Sequence, residues 1–140
     1  MDRRLVVHTA AFVGAALLLI WVLITWTSSW NAQRYAGTVL ALTGIGGVAL
    51  ARYQLGTSFA VKPEARELVT SGLYSRIRNP IYVFGLVMLV GLALVLQIRA
   101  AWIVVAGLAV VQMIRAHREA GVLEAAFGDA YREYRRKTWF

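Results

Sequence analysis

Residues 68–82 read Leu68-Val69-Thr70-Ser71-Gly72-Leu73-Tyr74-Ser75-Arg76-Ile77-Arg78-Asn79-Pro80-Ile81-Tyr82. A glycine, two arginines and two tyrosines stand directly before a long apolar run that begins at Ile81. Pro80 suits the first turn of a helix, where its missing N–H costs nothing. The polar residues therefore belong to the connection that leads into that helix. A connection that only joined two apolar helices would need little of this chemistry. Here cations, hydrogen-bonding groups and flat aromatic surface collect at the boundary between water and an apolar phase.

Outward from this stretch the chain is mostly apolar. Of its 140 residues 59% are hydrophobic and 16% charged, too apolar for an ordinary soluble domain of this size. Four runs approach the roughly 20 residues that a membrane-spanning helix needs: about Leu5 to Trp26, Tyr35 to Ala51, Ile81 to Leu96 and Ala101 to Ile114. The expected fold is all-α, an integral membrane protein of about four transmembrane helices. Bulky Trp26 and Trp30 stand where a cleaved signal peptide would need small residues. With Trp21 and Tyr35 they read as interfacial anchors. The third and fourth runs are separated only by the residues around Gln97 to Ala100, which predicts a tight antiparallel hairpin.

The net charge of +8 is interleaved with these runs. That favours anionic lipid headgroups over nucleic acid as the partner. Thirteen of the fifteen lysines and arginines fall before the first run, between the second and third, or after the fourth; Arg34 and Arg99 are left for the other side. The positive-inside rule then places both termini and the second connection in the cytoplasm. A short helix is expected within that connection. Pro63 would start it, Glu64 and Glu67 would lie in its first turns, and Gly72 would end it. After the fourth run, Leu123, Phe127, Ala130, Tyr131 and Tyr134 recur at helical spacing among charged residues. The segment Glu119 to Arg136 thus reads as an amphipathic helix on the cytoplasmic membrane surface, with Gly121 and Gly128 able to bend it. The chain reads as one domain, 1–140. Residues 1–55 hold the first two helices and 56–140 the motif-bearing remainder.

Arg115 and Glu119 lie four residues apart on one face, near the cytoplasmic end of the fourth run. Two readings stay open: an intrahelical ion pair worth a few tenths of a kcal/mol, or two charged groups aimed into a polar pocket. Arg76 and Arg78 likewise read as topology signals or as anion-binding groups, and Tyr74 and Tyr82 as interfacial aromatics or as a stacking surface. The chain has no cysteine, so thiolate ligands and cysteine nucleophiles are excluded. His8 and His117 lie at the ends of different helices with no ligand cluster, and no metal is expected.

The stretch 68–82 closely resembles the LVT-x-G-x-Y-x-x-x-R-H-P-x-Y signature of the isoprenylcysteine carboxyl methyltransferase family, integral membrane enzymes related to the phospholipid methyltransferases. A second signature of that family is an arginine, a Glu-Glu pair and then L-x-x-x-F-G-x-x-Y-x-x-Y. Arg115, Glu119, Leu123, Phe127, Gly128, Tyr131 and Tyr134 stand at matching spacings. Together the two signatures cover about the C-terminal three-fifths of the chain. The resemblance implies an S-adenosylmethionine-dependent methyltransferase, with residues 56–140 as cofactor-binding core and the amphipathic helix capping the site. It implies that Gly72, Tyr74, Arg78, Asn79, Pro80, Tyr82 and Glu119 form the cofactor pocket. It also implies that Arg78, Arg115 and Glu119 serve the chemistry, and that Arg115 and Tyr131 lie beside the acceptor.

That cofactor carries a sulfonium, an ammonium, a carboxylate and an adenine. Arg78 or Arg115 would hold the carboxylate, Glu119 the ammonium, and Tyr74 and Tyr82 the base. The chain departs from the pattern at several points. Asn79 replaces a histidine, so it hydrogen-bonds but does not titrate. Ala120 replaces the second glutamate, and Phe84 stands where glycine is common. The usual proline after the second tyrosine is missing, and Thr138-Trp139-Phe140 follows the tail helix. The expected acceptor is a lipophilic molecule entering from the bilayer, with a carboxylate, thiol or similar group. It is already nucleophilic, or is deprotonated by water or Glu119.

Two rival readings come from other classes. One is a phospholipid N-methyltransferase, which fits the small size and the glycines Gly44, Gly46 and Gly47 in the second run. Small residues in membrane helices, however, usually serve close packing. The other is a non-enzymatic four-helix transporter or packing subunit. Proton-coupled transport usually places an acid inside a span, and none of the seven acidic residues is central in one.

Overall fold

The structure, a computed structural model, describes residues 3–26, 29–56 and 68–140. Five α-helices follow one another: α1 (Arg3–Trp26), α2 (Ala32–Gly56), α3 (Pro80–Leu96), α4 (Arg99–Phe127) and α5 (Asp129–Lys137). A single 3₁₀ turn, Gly72–Ser75, precedes α3. There is no strand among the described residues; the one extended pairing is an isolated parallel bridge between Ile77 and Trp139. The short helix expected from Pro63, with Lys62, Glu64, Arg66 and Glu67, lies outside the described residues. So do the side chains of Arg3, Arg4, His8 and Trp26.

The α2–α3 pair is the framework, and small residues make it. A Cβ on Gly44 would stand 2.4 Å from the Met88 nitrogen, and one on Gly91 2.4 Å from the Ala41 nitrogen. A Cβ on Gly47 would meet the Phe84 ring at 2.2 Å. A side chain at Gly44 or Gly91 would force the backbones apart, and one at Gly47 would displace the Phe84 ring, so the glycines set the approach distance. Gly44 and Gly47 therefore serve helix packing, while Gly46 faces open space. Ile20 of α1 packs with Ala41 and Ile45 on the neighbouring face of α2.

The far end of the bundle is clasped by polar groups. The Asn31 carboxamide accepts the Arg34 N–H at 3.0 Å, capping α2. Asn31 and Gln97 also pair through their amides, at 2.9 and 3.4 Å. Arg34 Nε donates to the Val95 carbonyl at 3.2 Å, and its terminal nitrogen donates to the Ser29 carbonyl. Arg34 thus satisfies a carbonyl that the last turn of α3 leaves free. The hairpin expected between α3 and α4 is present: Gln97 takes a left-handed conformation (φ 56°) and α4 begins two residues later.

Four membrane-length helices were expected. Among the described residues two helices, Ala32–Leu55 and Arg99–Phe127, are long and apolar enough to cross a membrane; Thr9–Val22 and Pro80–Leu96 are shorter apolar segments. The expected boundary at Ile114 is also corrected, because α4 runs on to Phe127. The amphipathic segment is instead cut at Gly128. Its φ of 53° and ψ of −121° form a conformation that a residue with a Cβ seldom adopts. Gly121 stays within α4. Gly72 likewise opens the 3₁₀ turn (φ 60°) rather than ending a helix.

Candidate functional site

The loop from Gly72 to Asn79 sits between the end of α2 and the start of α3. The Leu73 N–H donates to Gln54 Oε1 at 2.8 Å, and a side chain at Gly72 would strike the Gln54 amide. Tyr74 is 7% exposed. Its hydroxyl points at the Ala51 carbonyl, 3.5 Å away, and its own carbonyl receives the Tyr134 hydroxyl at 2.7 Å. Tyr74 and Tyr134 thus fasten the loop to α2 and α5, and Tyr74 is not an interfacial aromatic. Burial raises the Tyr74 phenol well above its ordinary range, with Tyr134, Glu119 and Tyr82 adding to the effect. Burial pushes Tyr134 up to about 12, helped by Tyr131 and opposed by Arg78. Both phenols are therefore neutral donors. Pro80 is fully buried at the first position of α3.

Asn79 occupies the cap position of α3, yet its side chain makes no capping hydrogen bond. The Nε of Arg78 is buried and has no hydrogen-bond partner. Both residues line a small depression of about 80 Å³, together with Ala116, His117 and Ala120 of α4, Tyr131 and Arg135 of α5, and Phe140. Three segments distant in sequence thus meet around one concavity. Its lining holds two arginines and no acidic side chain. The smaller Ala120 stands where the resemblance called for a glutamate. His117 Nδ1 lies 2.9 Å from the Met113 carbonyl and must donate to it, which leaves Nε2 of the neutral ring as an acceptor.

On the adjoining face of α4, Glu119 accepts a hydrogen bond from the Tyr82 hydroxyl at 2.6 Å. This is a charge-assisted contact between α3 and α4. Glu119 is thereby held by Tyr82. The ion pairs among the described residues are Arg132–Glu124, Arg132–Asp129 and Lys137–Glu133. Arg115 is exposed on α4, within electrostatic reach of the Tyr82 phenol.

The structure therefore gathers Arg78, Asn79 and Tyr131 around the depression, while Tyr82, Glu119 and Arg115 are not among its lining residues. Gly72, Tyr74 and Pro80 shape and anchor the loop without lining the depression. His117, Arg135 and Phe140 line it and were missed by the sequence reading. Arg135 follows Tyr131 by four residues, the spacing of one helix face, and that signal was available. Phe140 carried none, because its place depends on the chain folding back onto Ile77. No cluster of metal-ligating residues occurs among the described residues.

The phospholipid methyltransferase family profile matches residues 32–130. The chain belongs to the phospholipid methyltransferase family, and membership implies methyl transfer. With the two apolar helices, it points to a membrane protein. No curated protein and no solved structure matches the chain.

Proposed function

We propose that the chain is an integral membrane methyltransferase. It would move a methyl group from S-adenosylmethionine to a lipophilic acceptor at the cytoplasmic face. The convergence of Arg78 and Asn79, α4 and α5 on one depression, with Glu119 also on α4, carries this reading. Among the described residues α2 and α4 are the helices long and apolar enough to span. At 17 residues, α3 lies at the short end of the spanning range of roughly 17–25. At 29 residues, α4 is about 44 Å long, more than the roughly 30 Å of hydrocarbon. Its last turns, which bear Arg115 and Glu119, would then emerge at the membrane surface. The sidedness follows the distribution of basic residues.

The residues fit the cofactor in chemistry. The partnerless Arg78 Nε and the uncommitted Asn79 amide suit its carboxylate. Glu119, oriented by Tyr82, suits a cation. The depression is well below the roughly 300–1,000 Å³ of a complete ligand pocket, so it would accept one end of the molecule. S-adenosylmethionine supplies an electrophilic methyl group on sulfur. The chain holds that end with Arg78 and Asn79, steadies positive charge with Glu119, and keeps Arg115 and Tyr131 facing the acceptor. Alignment and exclusion of water are its main contributions. A carboxylate acceptor requires no base. An amine or thiol would lose its proton to water or to Glu119.

The test is incubation of the purified protein with methyl-labelled S-adenosylmethionine and a total lipid extract. The expected result is one labelled lipophilic product that disappears with Arg78→Ala. Methylated phosphatidylethanolamine would make the acceptor a phospholipid amine. Folded protein that binds no cofactor at millimolar concentration would overturn the proposal.

A further inference from the structure

Residues 138–140 lie along the motif loop as a short extended segment. The Trp139 N–H donates to the Arg76 carbonyl at 3.0 Å; the Arg78 N–H donates to the Trp139 carbonyl at 3.2 Å and the Asn79 N–H to the Phe140 carbonyl at 3.1 Å. These three bonds span four consecutive loop residues. They fix the backbone from which the Arg78 and Asn79 side chains leave toward the depression. Phe140 also lines that depression, and its φ of 50° is one that residues with a Cβ seldom adopt. The segment is moored from α5, where Thr138 Oγ1 donates to the Tyr134 carbonyl at 2.9 Å and Tyr134 is itself bonded to Tyr74.

We propose that Thr138–Phe140 form a strap that positions Arg78 and Asn79 for the cofactor, with Phe140 as one wall of its binding site. These are positioning residues, since they act through the loop. This inference rests on the cofactor reading above. The physical reason is preorganisation. Between the 3₁₀ turn and Pro80 the loop has no regular pairing of its own. The amides of Arg78 and Asn79 find their partners only when residues 139 and 140 arrive. A loop that has to be ordered during binding loses affinity to that ordering. The strap would complete the order beforehand. It also ties the arginine of the first sequence signature to α5, which carries Tyr131 of the second.

The experiment uses the full protein in detergent and compares four variants: deletion of 138–140, Trp139→Pro, Phe140→Ala and Phe140→Leu. Trp139→Pro removes one strap N–H and serves if the deletion does not fold; Lys137→Ala, at an exposed position of α5, is the control. Without cofactor, hydrogen exchange at the Arg78 and Asn79 amides should accelerate in the deletion and in Trp139→Pro. It should stay unchanged in Lys137→Ala. Cofactor affinity should fall about tenfold in the deletion, the effect of one weakened charge-assisted contact. Phe140→Ala should lose less, and Phe140→Leu should largely restore it. Adding Arg78→Ala to the deletion should cost much less affinity than Arg78→Ala in the intact chain, because the strap acts through that residue. Unchanged exchange, unchanged affinity, or additive losses would each overturn the strap. Wild-type protein that binds no cofactor would overturn the proposed function and the positioning role together. The exchange measurement would still report whether the segment holds the loop.

Discussion

The α2–α3 seam and α4 are built on opposite plans. In the seam, Gly37, Gly44 and Gly91 bring the two helices into backbone contact, and Gly47 makes room for the Phe84 ring. On α4 most side chains face outward; Ile103, Val104, Val110 and Met113 are each more than half exposed. A Cβ added at Gly107 or Gly121 would meet nothing within 4 Å beyond its own stretch of helix. Yet α4 lines the depression with Ala116, His117 and Ala120. The tight seam carries the loop bearing Arg78 and Asn79 on a stiff base, while the loosely attached helix brings the remaining groups to it. The two are joined near the site by one short hydrogen bond, Tyr82 to Glu119. Packing and chemistry are thereby separated, and substitutions should sort into those that break the fold and those that break only the reaction.

The largest effect should come from the seam. A Cβ at Gly91 would meet the Ala41 nitrogen and, at 2.6 Å, the Gly37 carbonyl; backbone cannot rotate aside. Gly91→Val should destabilise the protein by about 3 kcal/mol or more, or prevent folding. Gly107→Ala, in open space on α4, should leave the melting temperature unchanged or raise it. Equal sensitivity in thermal melts would erase the contrast. Next comes Glu119→Gln, which keeps the shape and removes the charge. It should weaken cofactor binding by about tenfold or more while barely moving the melting temperature. Arg115→Ala should lower turnover more than affinity. A Glu119→Gln variant that melts early yet binds normally would make the Tyr82–Glu119 contact a brace.

Tyr134→Phe tests the fastening between the site and its base. It leaves the buried Tyr74 carbonyl without its donor and should cost about 1–3 kcal/mol. The same phenol predicts a pH response. Tyr134 ionises near 12 in the folded chain and at about 10 when unfolded. Its contribution is complete below pH 10 and is lost as pH rises toward 12. The fall in melting temperature between pH 9 and 12 should be smaller in Tyr134→Phe than in the wild type; an identical fall would remove this role. The smallest effect belongs to Gly46→Ala. It faces open space between two tightly packed glycines and should stabilise by about 0.5–1 kcal/mol, since alanine restricts the unfolded chain more. A clear loss would mean that the second face of α2 is also in close contact.

By itself the sequence determined the all-helical character, the α3–α4 hairpin and the start of α3 at Pro80. These are local properties. They follow from apolar run lengths, from the backbone restrictions of proline, and from residue spacing along one helix. Only the tertiary structure decided what each polar group touches. Tyr82 rather than Arg115 holds Glu119, because α3 presents its phenol there at 2.6 Å. Tyr74 and Tyr134 are buried fasteners, because α2, the loop and α5 close around them. Gly128 rather than Gly121 breaks the tail helix, and nothing in their neighbouring residues distinguished the two. The return of Trp139 and Phe140 to the loop, and with it the place of Phe140 in the lining of the depression, depends on contacts some sixty residues apart in sequence. Such contacts leave no periodic trace, since backbone pairing across that separation makes no demand on residue type at either end.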